Sequence, residues 1–339
     1  MADGELAIAH GGGLIAAAHG GGLIAARARF PGAPEPWIDL STGINAVPYP
    51  ILLLSPAAYH RLPEPEQVRR LEMAAARAYG VAYPAMVVAA PGTQILISLL
   101  PRLLPCASVA IVGPTYAEHA ASWTAGGSAV RIVDSIQAIG AERGAVLCNP
   151  NNPDGRRFRD TDLVQLAGRL DLLVMDEAFA DLEEPGLSLA PMLPGNAVVL
   201  RSFGKTYGLA GLRLGFAVAA PAVARMIRAA LGPWAVSGAA VEIGTAALAD
   251  TAWLAGARRR LAHDVPRLDA LLAKAAMRVV GGTKLYRLAH TPDAMATFNR
   301  LGRAGILARR FEAEPAWLRF GIPGGGWERI EAALTRLDP

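Results

Sequence analysis

The chain has 339 residues, of which 53% are hydrophobic and 18% are charged. This composition excludes disorder over most of the chain, and the length suits one large domain or two moderate ones. The formal net charge is +4 and the arginines are scattered, so we expect no nucleic-acid partner. Three prolines interrupt the longest uncharged stretch, 81–101, and we therefore expect no membrane span and a cytoplasmic protein. Two cysteines, Cys106 and Cys148, favour neither a disulfide scaffold nor a cysteine-based zinc site, and we predict no metal.

The N-terminal segment contains a tandem repeat, HGGGLIAA, which occurs twice within residues 10–26. A single pair of repeats cannot build a solenoid, and the glycines indicate an arm that approaches a ligand. We predict that residues 1–39 form this arm, that 40–225 form a large domain, and that 226–339 form connecting helices and a small C-terminal domain.

Short apolar runs alternate with helical segments between residues 40 and 220. This alternation is typical of a mostly parallel sheet with helices on both faces, in which ligands bind at the carboxyl ends of the strands. We predict helices at 93–104 and 161–170, the second with Asp160 as its N-cap. The predicted strands are 86–90, 108–112, 129–133, 145–148, 172–175, 197–200 and 214–218.

The pattern changes beyond residue 220, where the alanine-rich sequence over 221–276 predicts helix throughout. Short strands at 277–280, 285–288 and 317–320 follow, with helices near 292–303 and 327–337. The predicted fold class is therefore α/β, with a smaller α+β C-terminal domain.

Lys205 lies just after the predicted strand 197–200, where a ligand site is expected, and the chain has only two other lysines, Lys274 and Lys284. A lysine at such a position can form a Schiff base when its pKa is lowered. Ser202 and Arg213 nearby could bind an anion together. The alternative is a surface lysine in a turn.

Asp176 and Glu177 end another predicted strand, 172–175. A carboxylate there can pair with the protonated nitrogen of a pyridine ring. The acidic pair could equally bind Mg²⁺, but this arrangement normally accompanies a P-loop, and the sequence has no P-loop motif.

Three further motifs lie at predicted strand ends or helix starts. Thr93, in the sequence Pro-Gly-Thr-Gln, begins a helix whose free N–H groups could bind phosphate. Tyr116 follows a strand and could stack on a planar cofactor, and Asn152 lies in a loop rich in turn-forming residues. Each motif alone also fits an ordinary structural role.

The order and spacing of these five motifs resemble the class I/II aminotransferase superfamily of fold-type I, pyridoxal-phosphate-dependent enzymes, over essentially the whole chain. The resemblance implies that Lys205 holds the cofactor as an internal aldimine and that Asp176 pairs with its pyridine nitrogen. It also implies that Asn152 hydrogen-bonds to the phenolic oxygen of the ring and that Tyr116 stacks on the ring. The residues implied to bind the cofactor phosphate are Gly92, Thr93, Gln94, Ser202 and Arg213.

Within the superfamily, the chain looks closest to the L-threonine-O-3-phosphate decarboxylases of cobalamin biosynthesis. The resemblance lies in the His-Gly-Gly element, the sequences at 41–45 and 176–179, and the segment 305–309 ahead of Arg319. It implies a homodimer that decarboxylates O-phospho-L-threonine. The implied substrate residues are His19, Gly20, Asn45, Asn152, Arg309 and Arg319, and Arg319 looks like the family arginine that meets the substrate carboxylate. His10-Gly11 matches the His-Gly element equally well, and Arg310 competes with Arg309.

Two positions depart from the family pattern. Phe179 replaces a tyrosine that hydrogen-bonds to the ring oxygen in many aminotransferases, and Leu62 replaces a tyrosine that crosses the dimer to the cofactor phosphate. Alternative functions are a histidinol-phosphate-type aminotransferase and a non-catalytic protein that binds pyridoxal phosphate. We assign structural or surface roles to His119, His263 and His290, and that of a small buried hydrophobe to Cys148.

Overall fold

A computed structural model describes residues 20–51, 53–184 and 186–335. The strands of the described chain are β1 (Ile38–Asp39), β2 (Val87–Ala90), β3 (Ser108–Val112), β4 (Ala129–Val133), β5 (Gly144–Cys148), β6 (Leu172–Asp176), β7 (Ala197–Ser202), β8 (Gly215–Ala219), β9 (Arg278–Gly282), β10 (Tyr286–His290), β11 (Ile306–Leu307), β12 (Arg309–Arg310) and β13 (Trp317–Gly321). The helices are α1 (Leu23–Arg29), α2 (Ala57–His60), α3 (Pro65–Ala78), α4 (Thr93–Leu103), α5 (Ala117–Ala125), α6 (Asp160–Ala167), α7 (Phe203–Thr206), α8 (Pro221–Leu231), α9 (Gly238–Ala249), α10 (Thr251–Lys274), α11 (Ala294–Arg303) and α12 (Trp327–Thr335).

A central sheet has seven strands in the order β2-β8-β7-β6-β5-β3-β4. The strands β7, β6, β5, β3 and β4 pair in parallel, whereas β8 is antiparallel to both of its neighbours. Each of the seven strands predicted between residues 40 and 220 is present, so the prediction of a mostly parallel sheet is confirmed. Every residue of β6 is buried, which explains why this strand is an unbroken apolar run up to Asp176.

Two apolar cores cover the opposite faces of the sheet. In β2, Val87 and Ala89 belong to one core and Val88 and Ala90 to the other, because successive side chains of a strand point to opposite faces. Helices therefore have to cover both faces, and the strand ends are left as the place where polar groups can meet.

The C-terminal region contains a four-stranded antiparallel sheet in the order β12-β13-β10-β9. Its core is separate from the two cores of the central sheet and includes Leu261, Leu268, Leu318 and Phe320. This region is the predicted smaller α+β unit. The domain boundaries at 39/40 and 225/226 stay predictions.

Two helix predictions need correction. Residues 221–276 form the three helices α8, α9 and α10, because Gly232, at φ +74°, ends α8 ahead of Pro233, and Asp250 starts a new helix. The Asp250 carboxylate accepts a hydrogen bond from the Trp253 N–H at 2.8 Å and so caps α10. Asp160 is the first residue of α6, and Arg159 is its N-cap.

The described part of the N-terminal segment connects both regions of the protein. Strand β1 pairs in parallel with β11 of the C-terminal region. A few residues later, the Asn45 N–H donates to the Lys205 carbonyl at 2.9 Å. The segment thus reaches from β11 of the C-terminal region to Lys205 in α7. Among the described residues, no helix is long and apolar enough to cross a membrane.

Candidate active site

A cavity of about 310 Å³ opens at the carboxyl ends of β5, β6 and β7, which end at Cys148, Asp176 and Ser202. This is where parallel sheets of this kind bind ligands, and the volume suits a small molecule. All nine residues predicted to bind the cofactor line this one cavity: Gly92, Thr93, Gln94, Tyr116, Asn152, Asp176, Ser202, Lys205 and Arg213. The fold therefore brings together motifs that are up to 121 residues apart (213 − 92). Their individual roles stay predictions.

Lys205 lies in the short helix α7, directly after β7. Among the described residues, its amine forms no hydrogen bond or ion pair, and its Nζ lies 5.6 Å from the centre of the Phe179 ring. Burial and the positive charge of Arg319 together lower the pKa of Lys205 to about 8, although the negative charge of Asp176 acts in the opposite direction. The fraction of the amine that is neutral and nucleophilic at neutral pH is therefore larger than in an ordinary lysine.

His119 forms a buried pair with Asp176, with 3.0 Å between Nε2 and Oδ2. Burial by itself lowers the pKa of His119, but Cys148 and Asp176 outweigh burial and raise that pKa to about 10. At neutral pH the imidazole is therefore protonated and balances negative charge at this end of the cavity. His119 is thus buried against Asp176, which excludes the surface role and leaves the structural role as a prediction. The signal in the sequence was its position one helical turn after Tyr116.

Glycines allow a cationic side chain to approach the amino end of α4. Gly92 has φ +88°, and a Cβ there would lie 2.7 Å from Arg213 Nη2. A Cβ at Gly215 would lie 2.8 Å from the Thr93 backbone nitrogen. The Arg213 guanidinium therefore lies close to the free N–H groups at the start of α4, and Ser202 lines the same cavity. This donor set fits a phosphate group.

Arg319 crosses from β13 into the cavity and is 94% buried. Its Nη1 donates to Asn152 Oδ1, its Nη2 donates to the Ser41 carbonyl at 2.8 Å, and its Nε is buried without a partner. Arg309 lines the same cavity, and its guanidinium lies over Phe311. Neither arginine forms an ion pair with another described residue, and burial lowers the pKa of both. The guanidinium groups of Arg309 and Arg319 thus line the cavity without an ion pair to any carboxylate of the described chain.

Of the other predicted substrate residues, Gly20 lies at the cavity and Asn45 does not. Gly20 lines the cavity, which agrees with the second of the two repeats, whereas His19 and His10-Gly11 lie outside the described residues. The structure does not bring the Asn45 side chain to the cavity. Its amide donates to the Thr206 carbonyl at 2.9 Å, and its Oδ1 accepts from Arg260 on α10. The predicted substrate contact of Asn45 therefore has no support from this geometry.

Aromatic rings form two walls of the cavity. Tyr116 hydrogen-bonds to Gln94 Oε1 at 3.0 Å, and burial raises the pKa of Tyr116 to about 12. Phe179, which replaces the family tyrosine, contacts the edge of the Tyr286 ring with 5.1 Å between the ring centres. No motif in the sequence marks Tyr286, because a tyrosine in a strand carries no positional signal. Its hydroxyl donates to the Asn151 carbonyl and so fixes the loop that bears Asn152.

Comparison with known proteins agrees with this geometry. The family described as aminotransferase class I and II matches residues 40–337. The chain belongs to this family. A threonine-phosphate decarboxylase from a Sinorhizobium species is 45% identical over 98% of each chain. A threonine-phosphate decarboxylase from Pseudomonas aeruginosa is 36% identical over 88% of this chain and 91% of its own.

Among solved structures, the histidinol-phosphate aminotransferase from Sinorhizobium meliloti in complex with pyridoxal-5'-phosphate has a TM-score of 0.80. The match covers 93% of each chain at 23% identity, which shows a shared fold. Membership of the family confirms the predictions of the α/β fold class, of an enzyme and of pyridoxal phosphate as the cofactor.

Proposed function

We propose that this enzyme decarboxylates O-phospho-L-threonine to (R)-1-aminopropan-2-ol phosphate and CO₂. The observation that supports the proposal is that Arg309 and Arg319 both line the cavity and that neither forms an ion pair with another described residue. Arg309 is close enough to Arg319 for its charge to lower the pKa of Arg319 further, after burial. A phosphate dianion that binds both guanidinium groups relieves this repulsion and accepts several of their hydrogen bonds.

This use of the arginines favours decarboxylation over transamination. If Arg309 and Arg319 bind the phosphate, no other described arginine or lysine of the cavity is left to hold the substrate carboxylate, because Arg213 and Lys205 are assigned to the cofactor. A carboxylate that is not held can turn out of the ring plane, which is the orientation for loss of CO₂. An aminotransferase instead has to hold the carboxylate while a proton leaves Cα.

The residues of the cavity fit pyridoxal phosphate. Arg213 and the amino end of α4 would bind its phosphate, Asp176 would face its ring nitrogen, and Lys205 would hold it covalently. When bound, the cofactor withdraws electrons from Cα and so stabilises the charge left after CO₂ departs. Lys205, with a pKa of about 8, is suited to return a proton to Cα near neutral pH.

The activity is tested with purified protein, O-phospho-L-threonine and pyridoxal phosphate, without 2-oxoglutarate. We expect release of CO₂ and formation of the phosphorylated amine, and we expect neither from Lys205→Ala. Product that forms only when 2-oxoglutarate is present would contradict the proposal and favour the histidinol-phosphate-type aminotransferase. Absence of the visible absorbance of the lysine-bound cofactor would contradict both activities.

The pathway, the location and the oligomeric state of the enzyme belong to the same proposal. The amine product is a precursor of the cobalamin nucleotide loop, so we assign the enzyme to that pathway. We also propose that it is a cytoplasmic homodimer. Support for a dimer comes from exposed apolar side chains on one segment of the chain: Val47, Ile51, Leu53, Tyr59 and Leu62.

A further inference from the structure

Three side chains with metal-binding atoms meet at the buried end of the cavity. A nitrogen of His119, the sulfur of Cys148 and a carboxylate oxygen of Asp176 all lie within 4.8 Å of one another. All three residues are buried. Ligand atoms around a tetrahedral zinc ion are about 3 to 4 Å apart, so small side-chain shifts would place one ion between them.

The chemistry of these ligands selects one class of cation. An imidazole, a thiolate and a carboxylate suit Zn²⁺ and Co²⁺, whereas Mg²⁺ and Ca²⁺ prefer oxygen ligands alone. Three protein ligands leave the fourth position of a tetrahedral ion open. The prediction of no metal rested on the cysteine count and on spacing along the chain, but these ligands come from α5, β5 and β6 and meet only after folding.

The surroundings provide support for the ligands and a path for the ion. The Ala178 N–H donates to Asp176 Oδ1 at 3.0 Å, and Oδ2 faces His119 Nε2 at 3.0 Å, where the ion would replace the imidazole proton. Thr115 Oγ1 lies 3.1 Å from Cys148 Sγ and 2.7 Å from Asn151 Oδ1, and so orients the sulfur. Cys148 and Asp176 line the cavity, which gives an ion access.

We propose that His119, Cys148 and Asp176 of the cofactor-free chain bind a divalent cation of the zinc class, and that this cation and pyridoxal phosphate exclude each other. The ion replaces the protons on the imidazole nitrogen and the thiol, which are released to solvent. Exclusion follows because the Asp176 carboxylate is the group assigned to the ring nitrogen. The exclusion rests on the proposed position of the cofactor, whereas the binding does not.

Binding is tested by titrating the full-length, cofactor-free chain with Co²⁺ and recording its absorbance. We expect a thiolate-to-cobalt charge-transfer band that added Zn²⁺ abolishes. Cys148→Ser should remove the band and lower the affinity for Zn²⁺ by at least about tenfold. Cys106→Ser is the matched control and should retain both, because Cys106 lies beyond the opposite end of the sheet, before β3. His119→Gln should also lower the affinity and provides a second variant.

Exclusion is tested by adding Zn²⁺ before pyridoxal phosphate. We expect Zn²⁺ to slow the appearance of the visible absorbance of the lysine-bound cofactor, and the same concentration of Mg²⁺ to have no effect. A titration without a charge-transfer band, or a band that persists in Cys148→Ser, would overturn the binding. Zinc that binds at these residues without slowing cofactor loading would overturn only the exclusion, and with it the assignment of Asp176 to the ring nitrogen.

Discussion

Arg309 and Arg310 are adjacent in β12, but their guanidinium groups lie in different surroundings. Successive side chains of a strand point to opposite faces. Arg309 accordingly lines the cavity, and Arg310 lies over the ring of Phe298, with 5.5 Å between the guanidinium carbon and the ring centre. The structure thus favours Arg309 over Arg310 for the predicted substrate contact, a choice that the sequence left open.

Replacing these two arginines separately tests the choice. Arg309→Gln removes a charged hydrogen-bond donor, so we expect kcat/KM for O-phospho-L-threonine to fall by a factor of ten or more, or about 1.5–3 kcal/mol. Arg310→Gln should leave kcat/KM close to that of the unaltered enzyme. An equal loss of kcat/KM in the two variants would contradict the assignment of the substrate contact to Arg309 alone.

The lowered pKa of Lys205 leads to a prediction about cofactor loading. The neutral amine is the nucleophile, so its fraction increases as the pH rises through about 8. We expect the rate at which the cofactor-free chain binds pyridoxal phosphate covalently to rise over the same pH range, as measured by visible absorbance.

Two other lysines provide controls for this measurement. Lys274 pairs with Glu331 at 3.1 Å and Lys284 with Glu184 at 2.6 Å. Lys274→Ala and Lys284→Ala should load the cofactor with an unchanged pH profile, and Lys205→Ala should not form the absorbing species. A rise centred on 10.5, the ordinary value for a lysine, would count against the effect of burial.

At the scale of elements, a buried ionic network joins the ends of β6 and β7, which carry Asp176 and Ser202. Arg201 Nη1 lies 2.6 Å from Glu177 Oε2, and Nη2 pairs with Asp181. All three side chains are at least 92% buried, and the guanidinium also lies over the ring of Tyr79. These contacts fix the ends of β6 and β7 relative to each other and thus position Asp176 and Ser202 in the cavity.

Removing the central cation of this network should destabilise the fold. Arg201→Met leaves the buried carboxylates of Glu177 and Asp181 without their cationic partner, and we expect the free energy of unfolding to fall by about 3–5 kcal/mol. The measurement is urea denaturation followed by circular dichroism. Arg69→Met is the control, because the Arg69–Glu66 pair is exposed and should contribute little. Similar losses in both variants would refute a special role for burial.

At the scale of the whole molecule, a single copy of the chain leaves several apolar side chains of the described part of the 47–62 segment in water. Ile51, Tyr59 and Leu62 each expose more than 60% of their surface, and Leu53 is fully exposed. Clusters of this kind mark interaction surfaces in soluble proteins. A second copy of the chain is the partner that we propose, in line with the family.

The oligomeric state tests this proposal. We expect the unaltered protein to sediment as a dimer and Leu53→Asp and Leu62→Asp to shift it towards monomer, because a charge in an apolar interface is costly to bury. Val164→Asp, at an exposed apolar position on α6, should leave the dimer intact. An unaltered chain that sediments as a monomer at micromolar concentration would contradict the proposal.

The sequence alone determined features that depend on local order along the chain. Alternating apolar runs predicted the seven strands of the central sheet, because a strand buried on both faces has to be apolar throughout. The motifs that bring Lys205, Asp176 and Arg213 to one cavity were readable for a related reason: they follow strand ends, and the carboxyl ends of parallel strands meet at one edge.

Only the tertiary structure decided what depends on contacts between distant residues. His119 has no metal-ligand spacing to another residue along the chain, yet folding places it against Asp176, 57 residues away. Asn45 lies in a family-like motif, but Arg260 from α10 turns its amide away from the cavity. Such outcomes depend on how helices and strands pack against one another. Periodicity along a chain shows which face of an element is buried, and it does not show which side chain of another element will meet it.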